Sequence, residues 1–309
     1  MANRIKALLS GVRNQLAQIT GQTVDVPDDG RLLDETVLTS EKGEYRLKLF
    51  GENEYALSFV GEPLEAGGRS PVAIKRIRSQ WGRNKAIKEH FKQEINIVRD
   101  FLHPRLPRYE FQGDLAGIPY YAYSYIEGVP LTQILDKKEY YPPELVREIA
   151  PDLVAQLLQQ LRYLHERMDC VVHGNIGLRS LLLSPDHQLS LIEFACAYRK
   201  DRVINQDYGW LIDPRYCSPE QARQEAWDER SDIYQAGVVF YELLTGRAWN
   251  AEKTPEEQAR YAAELQVSAA DFLSEYASIS VSTLVADMLH PDAALRPQSA
   301  SVCLERLSH

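Results

Sequence analysis

Two segments constrain most strongly what this chain can fold into. ELVREIAPDLVAQLLQQLRYLHE (144–166) and SDIYQAGVVFYELLTG (231–246) are long and strongly apolar, which suits core helices. The chain before them is built differently. Between Tyr45 and about Val129 the runs YRLKLFGE, YALSFVGE and VAIKRI are short, apolar and aromatic, and the Ala66–Pro71 turn leads into the last of them, so they are expected to be strands. One helix interrupts these strands. Ile87, Phe91, Ile95, Val98 and Leu102 recur at steps of three and four and share a stripe, with Glu94 at its border able to point inward. A strand-rich part followed by a larger helical part predicts an α+β, bilobal architecture.

Charge and cysteine content narrow the function classes. Lys plus Arg number 35 against 44 Asp plus Glu, a net charge of −9, which argues against a general nucleic-acid or anionic-membrane binder. The four cysteines form no CxxC pair and no Cys/His cluster at zinc spacing, so neither a disulfide scaffold nor a structural metal is expected, and a cytoplasmic location is. No apolar run is long enough for a membrane helix. At the N-terminus, Ile5, Leu8, Leu9, Val12, Leu16 and Ile19 lie on one helical face. That helix is expected either to pack on its own domain or to dock a partner.

The series VAIK (72–75), a helix with an inward Glu, HGN (173–175), EFA (193–195), SPE (218–220), Asp232 and LRP (295–297) resembles the eukaryotic-type protein kinase family. YCSPEQA and SDIYQAGVVFYELLTGR resemble its bacterial serine/threonine members most. The resemblance runs from about Tyr45 to Leu307. It implies an N-terminal extension over 1–44 and a kinase-like domain over 45–309, with a strand-rich lobe at about 45–126 and a helical lobe at about 127–309.

The resemblance assigns expected roles residue by residue. Lys75 matches the strand lysine that contacts ATP phosphates, and Glu94 matches its helix partner. Ala73 keeps one half of the apolar sandwich around adenine, Glu127 falls in the hinge, and Tyr123 takes the gatekeeper position. His173, Phe194 and Val98 match members of a stacked apolar column anchored by Asp232. Glu220 and Arg296 match an ion pair.

The positions that do chemistry are altered. Phosphoryl transfer needs an acceptor for the hydroxyl proton and cations on the phosphate oxygens. Asn175 stands where the family has its Asp base, and a carboxamide is not a useful base near neutral pH. Gly177 replaces a Lys, and Ser180 replaces a metal-binding Asn. Glu193 replaces the metal-binding Asp and can still hold Mg²⁺. Aligned to GxGxxG, residues 51–56 keep only Gly51. Between Ala195 and Tyr216 there is no Ser or Thr, leaving only Tyr198 and Tyr208 as hydroxyls for modification, while Asp213 either imitates a phosphate or caps a turn.

These losses predict a pseudokinase: a protein-binding, regulatory module with weak or absent nucleotide binding. The alternatives are an atypical active kinase, with ATP, Glu193 on Mg²⁺ and Asn175 orienting the hydroxyl, and a kinase-fold transferase of another group such as a nucleotidyl group. Residues 75–92 hold seven Lys/Arg against one acidic residue. They are either a solvated face or a docking surface for an acidic protein partner or a phosphorylated peptide, through Arg83, Lys85 and Lys88, with Trp81 as an anchor.

Overall fold

The computed structural model describes residues 33–53, 55–65, 68–115, 117–138, 140–200, 211–249 and 273–308. The helix expected over 4–19, Glu54 and Tyr208 lie outside them. The chain divides into two compact units, one formed by residues up to Leu102 together with Pro107–Ile126, the other by His103–Leu106 and the chain from Glu127 on.

The first unit carries a six-stranded antiparallel sheet in the order β1-β2-β3-β4-β6-β5, with β1 Val37–Ser40, β2 Gly43–Glu52, β3 Ala56–Pro63, β4 Val72–Ile77, β5 Tyr109–Leu115 and β6 Ile118–Ser124. The sheet thus begins at Val37, ahead of the Tyr45 start read from the sequence. Tyr45, Leu47, Phe59, Ile74, Phe111 and Tyr120 form one of its buried clusters. Alternation along β4 puts Ile74 in that cluster and gives Lys75 the opposite face.

Helix α1 (Lys85–Arg99) starts at Asn84, whose side chain accepts from the Ile87 N–H at 3.1 Å. It buries Ile87, Phe91, Glu94, Ile95 and Val98, as the spacing predicts. Leu102 departs from the expected stripe. The helix stops at Arg99, the Phe101 N–H turns back to the Val98 carbonyl, and Phe101 is buried while Leu102 is 91% exposed. A break of the helical period three residues before the expected end moves the buried apolar side chain to its neighbour.

The second unit contains β7 (Val129–Pro130), α2 (Leu131–Asp136), α3 (Pro143–His165), β8 (Val171–Val172), β9 (Leu181–Leu183), β10 (Leu189–Leu191), β11 (Tyr198–Arg199), α4 (Pro219–Ala222), α5 (Glu229–Thr245), α6 (Ile279–Met288) and α7 (Ala300–Leu307). Its two long helices are the two apolar segments of the sequence. Every residue of α5 from Ser231 to Thr245 is buried, so the helix is enclosed on all sides and runs through the core with α3 against it, its polar side chains Asp232, Gln235 and Glu242 all hydrogen-bonded. It begins at Asp228, whose side chain accepts from Arg230 N–H, and ends at Gly246 in the left-handed region (φ 66°), where glycine carries no Cβ penalty. Two small sheets, β7-β9-β10 and β8-β11, hold the loops between these helices. No described helix is long and apolar enough to cross a membrane.

Candidate functional site

In the first unit, Lys75 on β4 and Glu94 on α1 form an ion pair at 2.7 Å, with side chains 3% and 0% exposed. A buried ammonium needs its countercharge, which explains why both residues are present. The Tyr121 hydroxyl donates to the same Glu94 oxygen at 2.9 Å. The Tyr55 ring lies over the Lys75 ammonium, 5.5 Å from ring centroid to Nζ, within cation–π range. Tyr55 is fully buried and meets Phe91 and His90 edge-on. Ala73 is buried opposite Val60 and Tyr123.

The hairpin at 51–56 is closed on itself. The Asn53 carboxamide oxygen accepts from Tyr55 N–H (2.9 Å) and Ala56 N–H (2.7 Å), and the Asn53 N–H donates to the Ala56 carbonyl at 3.0 Å. Arg78 donates to Glu52 (2.7 Å) and to the Asn53 carbonyl. Gly51 lies in β2 next to a bulge, and a Cβ there would meet only the Ser58 Cβ at an ordinary 3.7 Å, so its geometry does not require glycine.

In the second unit the loop 173–177 is pinned by buried side chains of α5. The fully buried Asp232 carboxylate accepts from His173 N–H (2.8 Å), Gly174 N–H (2.7 Å) and His165 Nε2–H (2.9 Å). Gln235 accepts from Ile176 N–H at 2.8 Å, and both Gln235 and Gln221 donate to the Gly174 carbonyl. The His173 ring donates through Nε2 to the Ile192 carbonyl and accepts the Asn175 N–H at Nδ1. Burial lowers the His173 pKa below its ordinary value, which fits this neutral tautomer. Its ring meets Phe194 edge-on with centroids 4.7 Å apart, two members of the column the sequence pointed to.

The altered positions each have a structural occupation. The Asn175 amide donates to the Leu211 carbonyl at 3.2 Å, and its oxygen accepts the Asp213 N–H at 2.8 Å. The Ser180 hydroxyl gives its proton to the Gly177 carbonyl and accepts the Gly177 N–H, at 2.9 and 3.0 Å. A Cβ on Gly177 would come within 2.6–3.0 Å of the Tyr216 ring. That ring is fixed by the Tyr216 hydroxyl donating to Glu242 at 2.8 Å. Glu193 adopts the left-handed conformation (φ 69°, ψ 65°), unfavourable for a residue with a Cβ, at the start of a 3-10 turn over Phe194–Cys196. Glu127 is an exposed residue ahead of β7.

Three further features singled out in the sequence have defined contacts. Asp213 caps a turn: it accepts from Arg215 N–H, and from its Nε and Nη2 at 3.1 and 2.7 Å. Burial pushes the Asp213 carboxyl up, but Arg215 outweighs it and holds the pKa below the ordinary value. The Tyr198 hydroxyl donates to the Trp227 carbonyl, and its ring packs edge-on against Trp227. Glu220 and Arg296 form the expected ion pair, two-pronged at 2.7 Å for each contact.

The basic run is smaller than it reads in the sequence. Lys75 and Arg76 are buried, and Arg78 is held by the 51–56 hairpin. Arg83, Lys85 and Lys92 are exposed and Lys88 is half-buried, whereas Trp81 lies partly buried in a 3-10 turn.

Sequence reading missed Gly174. Its φ is +74°, and a Cβ would meet the Trp227 ring at 2.3 Å, so the residue beside Asn175 has to be glycine. It also missed Tyr55, Gln221 and Gln235, for which no local pattern exists. A cavity of about 520 Å³ in the second unit, lined by His103, Gln159, Arg162, Tyr163, Glu166 and Arg167, involves none of these loop residues.

A buried Lys–Glu pair between a strand and a helix, and a loop pinned by a carboxylate from a central helix, belong to the architecture of a protein kinase fold. The chain belongs to the protein kinase domain family, whose model matches residues 56–307. It is similar to a probable serine/threonine-protein kinase of Streptomyces coelicolor, 29% identical over 183 residues (57% of this chain, 26% of the relative). Serine/threonine-protein kinase PksC of the same organism is 28% identical over 213 residues (66% and 38%), and PknB of Mycobacterium leprae 29% over 181 residues (57% and 28%). The matches thus span between about a quarter and two fifths of these relatives' own length.

The family uses ATP and Mg²⁺. In the first unit, the Tyr55 and Ala56 N–H groups of the hairpin already have the Asn53 oxygen as acceptor, and the Tyr55 ring lies over the Lys75 ammonium.

Proposed function

We propose that this chain is a kinase-fold protein that has lost ordinary phosphoryl transfer and acts as a protein-binding, regulatory module. The observation that carries this reading is the state of Asn175. Both ends of its carboxamide are bonded to Leu211 and Asp213, so the group at the base position holds the neighbouring segment. The packed Gly177 and the internally bonded Ser180 support the same reading. The partner is an acidic protein bound through Arg83, Lys85 and Lys88, in the cytoplasm, where the four free cysteines stay reduced.

The test is incubation with γ-labelled ATP and Mg²⁺ or Mn²⁺, alone and with generic substrates. No transfer is expected. Transfer abolished by Lys75→Ala and by Glu193→Ala overturns the reading and establishes an atypical active kinase, the second reading, which the intact Lys75–Glu94 pair favours. Label incorporated from the α-phosphate but not the γ-phosphate establishes nucleotidyl transfer.

A further inference from the structure

The hairpin at 51–56 stands where the family has a glycine-rich loop that offers backbone N–H groups to phosphate oxygens. Three of its N–H groups already have acceptors within the hairpin. Asn53 N–H donates to the Ala56 carbonyl, while Tyr55 N–H and Ala56 N–H both donate to the Asn53 Oδ1 at 2.9 and 2.7 Å. A carboxamide oxygen accepting two convergent N–H groups does what a phosphate oxygen does in a backbone nest. The cation is occupied in a parallel way. Lys75 Nζ has Glu94 at 2.7 Å on one side and the Tyr55 ring face at 5.5 Å on another. Arg78 fixes the arrangement: its side chain donates to Glu52 and the Asn53 carbonyl, and its backbone N–H to the Tyr55 carbonyl at 3.0 Å.

We infer that Asn53 and Tyr55 are an internal substitute for a polyphosphate ligand, and that these two side chains decide whether the first unit binds a nucleoside triphosphate. Asn53 replaces the phosphate oxygen as acceptor for the loop, and Tyr55 replaces the phosphate as partner of the Lys75 cation. The inference deepens the reading above and rests on it. The two substitutions are needed together. Removing Tyr55 alone leaves the N–H groups bonded to Asn53, and removing Asn53 alone leaves the ring on Lys75.

The experiment is isothermal titration of the full chain with ATP and, separately, with inorganic triphosphate, each with and without Mg²⁺. The variants are Asn53→Gly, Tyr55→Ala and the double Asn53→Gly/Tyr55→Ala. A second double, Asn53→Gly/Tyr55→Leu, keeps apolar volume at the fully buried position should the alanine variant fail to fold. The wild type is expected to show no saturable binding of either probe. A folded double variant is expected to bind both saturably, at least tenfold more tightly than either single variant. Folded double variants that gain no affinity for either probe overturn the inference, as does submillimolar triphosphate binding by the wild type. γ-Phosphate transfer by the wild type overturns the functional reading and the inference together, whereas folded double variants that gain no affinity, with a wild type that transfers nothing, overturn the inference alone.

Discussion

Asp213 donates its backbone N–H to the side-chain oxygen of Asn175 at 2.8 Å, while the amide of the same Asn175 reaches the Leu211 carbonyl. At the position of the family's Asp base the Asn175 side chain thus has one donor and one acceptor in use as a clamp on the neighbouring segment. An Asp at this position keeps the acceptor but loses the donor, and sets a carboxylate against a carbonyl oxygen.

Asn175→Asp is therefore expected to destabilise the chain by about 1 kcal/mol, the net worth of a part-buried hydrogen bond. It is also expected to leave γ-phosphate transfer at background, because Gly177, Ser180 and the closed hairpin remain and such groups act as a unit. Urea unfolding and a labelled-ATP assay on the same preparation check both parts. Robust transfer by this single variant would show that the other positions are not defects.

The Lys75–Glu94 pair should behave as a buried ion pair. Lys75→Met removes the cation and leaves Glu94 buried with its charge uncompensated, for an expected loss of about 3–5 kcal/mol. Adding Glu94→Leu should recover most of that loss, since two apolar groups need no countercharge. A double-mutant cycle by chemical denaturation measures it.

Replacing the small residues of the loop by larger ones should be unfavourable. Gly177→Lys forces a Cβ into the Tyr216 ring, and Gly174→Ala forces one into Trp227 at a positive φ. Each is expected to cost at least about 1–3 kcal/mol from overpacking. Gly174→Ala should be partly rescued by Trp227→Ala, and Gly177→Lys should not. Melting temperatures of the single and double variants decide this.

Stability should fall in two stages as the solution is acidified. Burial lowers the His173 pKa below 6.5, so the unfolded chain takes up a proton that the folded chain refuses. That contribution is complete above about pH 6.5, the unfolded value, and fades as pH drops toward the depressed folded value. His103, also lowered by burial, adds in the same sense. Glu220 gives a second, later loss. Burial raises its pKa, but Arg296 and Ser231 outweigh that and hold it below 4.5, so its contribution fades only below that pH. His173→Phe should flatten the melting-temperature profile between pH 7 and the onset of the carboxylate stage, and His103→Gln should flatten it less.

Charge reversal at Arg83, Lys85 and Lys88 is expected to leave the melting temperature nearly unchanged, because surface changes of this kind usually fall within about 0.5 kcal/mol. The same variant should weaken a pulled-down partner complex at low salt. Normal binding by the triple variant would reduce the basic face to a solvated surface.

The sequence by itself determined the elements and their class. The periodicity at Ile87, Phe91, Ile95 and Val98 and the two long apolar segments were visible because helical and strand spacing are local properties. The Lys75–Glu94 and Glu220–Arg296 pairs were legible only through the resemblance, which supplies partners 19 and 76 residues apart that no local pattern reveals. Only the tertiary structure decided what the altered positions do. That Asn175 clamps Leu211 and Asp213, that Tyr216 and Trp227 fill the space above Gly177 and Gly174, and that Tyr55 covers Lys75 are consequences of packing between distant segments. A hydrogen-bond donor or a ring face has no sequence period, so its partner is chosen by which groups the fold brings within a few ångströms. Leu102 shows the same limit from the other side: the stripe was right until the helix ended, and where it ended was set by a backbone turn at Val98–Phe101 that the apolar pattern does not encode.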